Sequence, residues 1–322
     1  MKRLRLFSIF FLLLFLFPNG KIFSWGFWAH KKINHMAVFT LPPGMISFYK
    51  KNIDYITEHA VDPDRRRNVI PEEGPRHYID MEHYGDSVPQ FWKDAVAKYG
   101  EDSLNEYGIV PWHIVKLTYM LTDAFRKKEG LLILHYSADL GHYVADAHVP
   151  LHTTENYNGQ LSGQTGIHDF WESRLPELYG ENYDFFTGKA TYIENPQTEA
   201  WKIVHESHAA LDSVLAFEKS LTDTFPSDQK FTYEQRGTTT KKVYSKEFSE
   251  KYNQLLKGMV ERRLRLAIQR VGGYWYTAWI NAGSPPLDEI EYKEIFQKTW
   301  DTTKIQDLLQ KRGTLKTKGH ID

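Results

Sequence analysis

An all-α fold, a compact multi-helix bundle, is the architecture this sequence predicts, and three observations point to it. Apolar residues recur at helical spacing in one segment after another. Proline and glycine clusters punctuate those segments. Residues 219 to 244, rich in Thr, Ser, Pro, Gly and Lys, read as a surface excursion that could form a small hairpin.

Taken in order, Lys2, Arg3 and Arg5 precede an apolar run from Phe7 to Phe17 and then Pro18-Asn19-Gly20, the form of a secretory signal peptide. Its core of about a dozen residues is short of the roughly 20 that span a bilayer, so no permanent membrane anchor is expected. Cleavage is placed after Ser24, although Ile22 and Ser24 depart from the small-x-small preference. The mature chain then begins at Trp25 and is secreted or periplasmic.

Trp28 to Val38 carries apolar and basic residues at helical spacing, and Leu41-Pro42-Pro43-Gly44 ends that helix before a second one running to about Lys51. Residues 60 to 88 hold Pro63, Pro71, Gly74, Pro75 and Gly85 among many charges and read as a structured loop. Helices are predicted at Gln90 to Lys98 and at Pro111 to Lys128, where Pro111 suits the first turn. Leu131 to Ala147 is the most apolar helix. A loop at 153 to 166 leads to a helix over His168 to Leu178, and long helices follow at roughly 195 to 218 and 245 to 280. The expected organisation is a signal segment over 1–24, a main domain over 25–283, and a charged tail over 284–322 with one peripheral helix.

The chain has no cysteine, which removes disulfides and thiolate ligands, so any metal must sit on nitrogen and oxygen. A formal net charge of −1 argues against a long electrostatic groove for duplex nucleic acid, while leaving room for a nucleotide-sized site. There is no internal repeat and no glycine-rich phosphate loop.

The strongest chemical signal is the segment from His142 to His152. His142 and Asp146 are four apart on one helix face and can reach a single ion, and Pro150 ends the helix so that His152 can turn back. Asp139 lies on the same stripe and suits a carboxylate that orients a ligand histidine from behind. His168 and Glu172 repeat the spacing of four, a weak signal alone that gains from its proximity to the first. The remaining histidines, His35, His59, His83, His113, His148, His205 and His208, read as surface or core residues.

In their order these pieces, Trp25-Gly26 with His30, the Asp62 segment, His77-Tyr78-Ile79-Asp80, His142 to His152 followed by Asn156, and His168 with Glu172, resemble the zinc-dependent phospholipases C and the single-strand-specific zinc nucleases. The resemblance covers residues 25 to 172. It implies three zinc ions: one on Asp62, His77, His142 and Asp146, one on His152, His168 and Glu172, and one on the amine and carbonyl of Trp25 with His30, sharing Asp146. The free amine requires that the signal peptide be removed. It further implies phosphodiester hydrolysis with a metal-bridging water as nucleophile, Asp62 orienting that water or taking its proton, and Arg65 stabilising charge on the phosphate.

The same resemblance implies a substrate that is either a phospholipid or a single-stranded nucleic acid. Glu172 and the form of the central motif resemble the phospholipases, whereas Arg65 matches the nucleases, and Tyr78 matches their base-stacking aromatic as a substrate-binding residue. Trp28 and Pro63 stand where the choline-binding phospholipases carry an acid and a tyrosine. Phospholipase C ranks first, with nuclease as the alternative and a zinc-stabilised non-catalytic protein third. A monomer without a protein partner is expected.

Overall fold

The computed structural model describes residues 26–85, 87–288 and 290, so Trp25, the signal segment and nearly all of the tail lie outside the described residues. The described chain is all-α apart from one hairpin. It opens with α1 (Gly26–Ala37), α2 (Pro43–Lys51) and α3 (Ile53–Glu58). Pro43 begins α2, where its missing N–H costs nothing. Residues 60 to 88, expected as a loop, contain α4 (Asp62–Arg67) and two tight three-residue-per-turn segments, Pro71–Arg76 and Met81–His83. The prolines that suggested irregularity, Pro63 and Pro71, sit in first turns.

Next come α5 (Trp92–Tyr99) and α6 (Glu101–Tyr107), parted by Gly100 at φ 77°. The long α7 (Val110–Lys127) and α8 (Gly130–Ala147) are joined through Lys128 and Glu129. A short α9 (Ile167–Asp169) passes through a wide π turn, Phe170–Arg174, into α10 (Leu175–Tyr179). The helix expected to stop near residue 218 continues, as α11 (Pro196–Thr224), with Asn195 accepting a capping hydrogen bond from the Thr198 N–H. The excursion then forms an antiparallel hairpin, β1 (Phe231–Arg236) and β2 (Thr239–Tyr244), in register from Phe231↔Tyr244 to Arg236↔Thr239. The single helix expected over 245–280 is two, α12 (Lys246–Leu255) and α13 (Met259–Asn281), because Gly258 takes a left-handed φ of 75° between them.

The core forms where α8 and α13 pack against each other and both take α1 on one side and α7 on another, with α11 laid on α7. Trp275 of α13 is fully buried, stacks on Tyr49 with ring centroids 5.1 Å apart, and donates its N–H to Ser137 O. Each aromatic of this size contributes roughly 1.5–3 kcal/mol through removal from water. α1 approaches α8 so closely at Gly141 that a Cβ there would collide with the Asn34 amide. Asn34, itself fully buried, donates to Ala138 O at 3.1 Å, so a polar tie fixes α1 on α8 just where each carries a candidate ligand. No helix of the described residues is long and apolar enough to cross a membrane.

Candidate metal centre

Seven elements deliver donor groups to one buried region. His30 comes from α1, Asp64 from α4, His77 from the end of the 71–76 turn, and His142 and Asp146 from α8. His152 comes from the turn Pro150–Thr153, His168 from α9, and Glu172 from the π turn. They fall into three groups whose donor atoms lie within 4.8 Å of one another: His30, His142 and Asp146; Asp64, His77 and His142; His152, His168 and Glu172.

Asp146 is 1% exposed and divides its carboxylate between groups. Its Oδ2 lies 2.9 Å from His77 Nδ1 and 3.1 Å from His142 Nε2, while its Oδ1 lies 3.3 Å from His30 Nε2. Glu172 does the same on the other side, with Oε2 2.7 Å from His168 Nε2 and 3.3 Å from His152 Nε2, and Oε1 3.8 Å from His30 Nε2. His30 therefore stands between the two carboxylates.

The ring orientations disclose what the region is built to hold. His142 Nδ1 donates to Ala60 O at 2.8 Å and His152 Nδ1 donates to His77 O at 2.6 Å, which assigns the proton in each neutral ring to Nδ1 and leaves a lone pair on Nε2. Those Nε2 atoms face other imidazole nitrogens, His142 Nε2 at 3.1 Å from His77 Nδ1 and His152 Nε2 at 3.1 Å from His168 Nε2. Inward lone pairs at that separation, beside buried carboxylates, demand an electrophile. Cations of the kind that imidazole and carboxylate oxygen ligate meet the demand.

Protons can answer the same demand. Burial opposes charge on His142 and His152, but Asp146 together with Asp64 for the first, and together with Glu172 for the second, outweighs it; they are pushed up to about 9 and about 10. His77 moves the other way, down to about 3, because its burial outweighs its bond to Asp146. Burial acts to raise Asp146 and Glu172, yet the histidines around them hold both well below the usual carboxylate range. A histidine with a raised pKa adds stability that is complete below its ordinary value near 6.5 and is lost as the pH climbs through the raised value. Chelator-treated protein should therefore lose melting temperature between pH 7 and about 10, and Asp146→Asn should flatten that fall. Parallel melting curves for the two proteins would refute the linkage.

Several expected residues occupy other places. Asp62 is not the carboxylate brought to His77 and His142. It is buried, takes a 2.5 Å bond from His59 Nδ1 and a 2.9 Å bond from Arg65 Nη1, and the carboxylate facing the histidines is Asp64, 3.8 Å from His77 Nδ1 and 3.6 Å from His142 Nε2. Two positions on a helix are about 200° apart around its axis, so only one of the pair can face the cluster. Burial pushes the Asp64 carboxyl up, against the pull of His142, His30 and Arg67.

Arg65 is outside the three groups, its side chain 53% exposed, bonded to Asp62 and lying 5.5 Å from the Phe27 ring centroid. The guanidinium whose charge bears on both Asp64 and His77 is that of Arg67. Tyr78 cannot present a stacking face, since it is 2% exposed and its hydroxyl donates to Glu106 O. Asp139 orients no ligand histidine: its two oxygens grip Arg66 at 2.7 and 3.3 Å, and the imidazole near it is that of His135. The histidine of the cluster on its helix, His142, gives its Nδ1 proton to a backbone carbonyl instead. Trp25 lies outside the described residues. Asp64, Arg67 and the tie between His59 and Asp62 carry no motif in the sequence; the one signal for Asp64 is its position two residues after Asp62.

No protein-family model matches the chain, and no curated protein does. Among solved structures it is similar to an alpha-toxin from Clostridium absonum, at 14% identity and a TM-score of 0.48, covering 83% of this chain and 65% of the toxin. It is also similar to the alpha-toxin of Clostridium perfringens isolated from avian strain SWCP, at 12% identity and a TM-score of 0.49, covering 81% of this chain and 65% of that one. The chain thus spans 65% of the length of the toxins it matches.

Proposed function

We propose that this chain is a zinc-dependent phosphodiester hydrolase, phospholipase C-like in its substrate. The observation that carries the reading is the division of the Asp146 carboxylate between His30 on one oxygen and the His77/His142 pair on the other, beside a complete second group of His152, His168 and Glu172. Adjacent groups joined by one carboxylate are suited to ions that act together on one phosphate. The donor set, imidazole and carboxylate without thiolate, fits zinc sites that keep positions open for water and substrate.

On this reading His77, His142, Asp64 and Asp146 hold one ion, His152, His168 and Glu172 a second, and His30 with Asp146 a third, completed by the Trp25 amine after export and cleavage of the signal segment. Bound zinc supplies Lewis acidity toward the phosphoryl oxygens and lowers the pKa of water to near neutrality. Asp64 has the most exposed side chain of the cluster's three carboxylates, 22% against 1% for Asp146 and 13% for Glu172, which with its burial-raised pKa suits it to take the proton of an entering water. The positive charge of Arg67 beside Asp64 suits an anionic phosphate.

Lipid is favoured over nucleic acid because the burial of Tyr78 removes the aromatic assigned to base stacking, and the net charge of −1 argues against a long electrostatic groove for duplex nucleic acid. The test is turnover by the mature protein, with and without zinc, of short-chain phospholipids, single-stranded DNA and RNA, and a chromogenic phosphodiester. Zinc-dependent release of diacylglycerol with no nucleic-acid cleavage is expected; cleavage of single strands alone would reverse the substrate assignment.

A further inference from the structure

His77 enters the cluster by the opposite nitrogen from His142 and His152. Those two spend Nδ1 on backbone carbonyls and face inward with Nε2, whereas His77 faces inward with Nδ1, 2.9 Å from Asp146 Oδ2 and 3.1 Å from His142 Nε2. Nothing on the backbone fixes its other nitrogen. The buried Nε2 makes no hydrogen bond among the described residues, and the carboxylate it faces is Glu73, whose Oε1 is 4.0 Å away.

Glu73 is assembled for a fixed position. It is 1% exposed, with Arg76 donating to Oε2 at 2.6 Å, Arg66 donating to Oε1 at 3.2 Å, and the Tyr143 hydroxyl donating to Oε1. Arg66 is itself held by both oxygens of Asp139, and the Tyr143 ring packs edge-on to His77 at 5.2 Å between centroids. Two arginines and two carboxylates balance in charge. Such a buried ionic cluster gives little net stability over an apolar packing of the same volume, so its worth lies in where it puts the Glu73 oxygen.

We infer that Glu73 is a positioning residue for the metal centre: facing the buried Nε2 of His77 across 4.0 Å, its negative charge favours the ring proton on that nitrogen and thereby reserves Nδ1 for the metal. This rests on the zinc reading above. Metal-bound imidazoles ordinarily give their second N–H to a carboxylate or carbonyl, which fixes the tautomer and raises ligand basicity. Asp139, the residue the sequence suggested for such a role, acts one step further out by holding the arginine that holds Glu73. The competing account is that Glu73 only ties the 71–76 turn to α4 through Arg66 and to α8 through Tyr143.

The experiment uses the full mature protein, wild type beside Glu73→Gln, Glu73→Asp and Tyr143→Phe, with zinc affinity measured ion by ion through chelator competition. Long-range 15N–1H spectra of the zinc-loaded proteins report which nitrogen of His77 carries the proton. Wild type should carry it on Nε2. Glu73→Gln should weaken one bound ion by about 10–100-fold and leave the others near their wild-type affinity. Glu73→Asp should recover part of that loss, and Tyr143→Phe, which keeps the ring and removes one donor to Glu73, should weaken the same ion by a smaller factor.

Unchanged affinity and an unchanged His77 tautomer in Glu73→Gln would overturn the inference while leaving the zinc reading intact. Equal weakening of all the ions, tracking a loss of fold in the chelated protein, would favour the structural account. Should Glu73→Gln not fold, Tyr143→Phe decides, with wild-type zinc affinity counting against the inference. A wild-type protein that binds no zinc would remove the reading beneath it as well.

Discussion

Asp146→Asn is expected to reduce phosphodiester hydrolysis by on the order of 10³-fold and to lower the zinc content by more than one ion per chain. The size follows from geometry: the carboxylate faces His30 through one oxygen and His77 and His142 through the other. Asparagine keeps the shape and removes the anion, and its amide must turn either a weaker oxygen or an N–H toward each group. The fold should survive, because removing the Asp146 charge lowers the pull toward protonation on the buried His142 and His152, which then more readily rest neutral. Metal analysis and kcat on one preparation check both halves. Near-normal zinc and turnover within threefold of wild type would exclude Asp146 as a shared ligand.

The second large effect separates two aspartates on one helical turn. Asp64→Asn should cost about 10²–10⁴-fold in kcat, the range for removing a general base, and should also weaken the ion on His77 and His142. Asp62→Asn should change kcat by less than about tenfold and act chiefly on stability, since that carboxylate is committed to His59 and Arg65. If Asp62→Asn were the damaging change and Asp64→Asn mild, the placement of the two side chains described above would be reversed in the working protein.

Those aspartates mark the limit of what the sequence made legible. Periodicity was enough for α7 and α8, whose ends fall within a residue of the predicted ones, because their apolar stripes are long and their boundaries carry proline and glycine. The pairing of His142 with Asp146 was legible for the same reason, a spacing of four on a regular helix. Residues 62 to 80 were not, because a short helix followed by tight turns gives no period from which to tell which face Asp62 or Asp64 presents. Asp139 and Tyr78 fail for a related reason. Spacing places a residue on a stripe, but whether its side chain meets a ligand, an arginine or the core depends on what another element brings there: Arg66 in one case and the Glu106 carbonyl in the other. The π turn at Phe170–Arg174 and the break at Gly258 were likewise decided by packing and backbone conformation that local composition does not announce.

Every residue assigned here to the metal centre lies within the first 172 positions, yet the segment bearing His168 and Glu172 is braced by residues from far down the chain. Phe170 stacks flat on Tyr244 with centroids 3.8 Å apart, and Arg174 grips Glu234 of the hairpin with both terminal nitrogens. On a ribosome, the ligands would all emerge before the strands that brace this segment. Such long-range contacts form after the local helices because closing the intervening loop carries an entropic cost. The second group of candidate donors is therefore complete in composition well before it is complete in shape. A nascent chain ending before the hairpin carries the donors His168 and Glu172 without the residues that brace the turn between them.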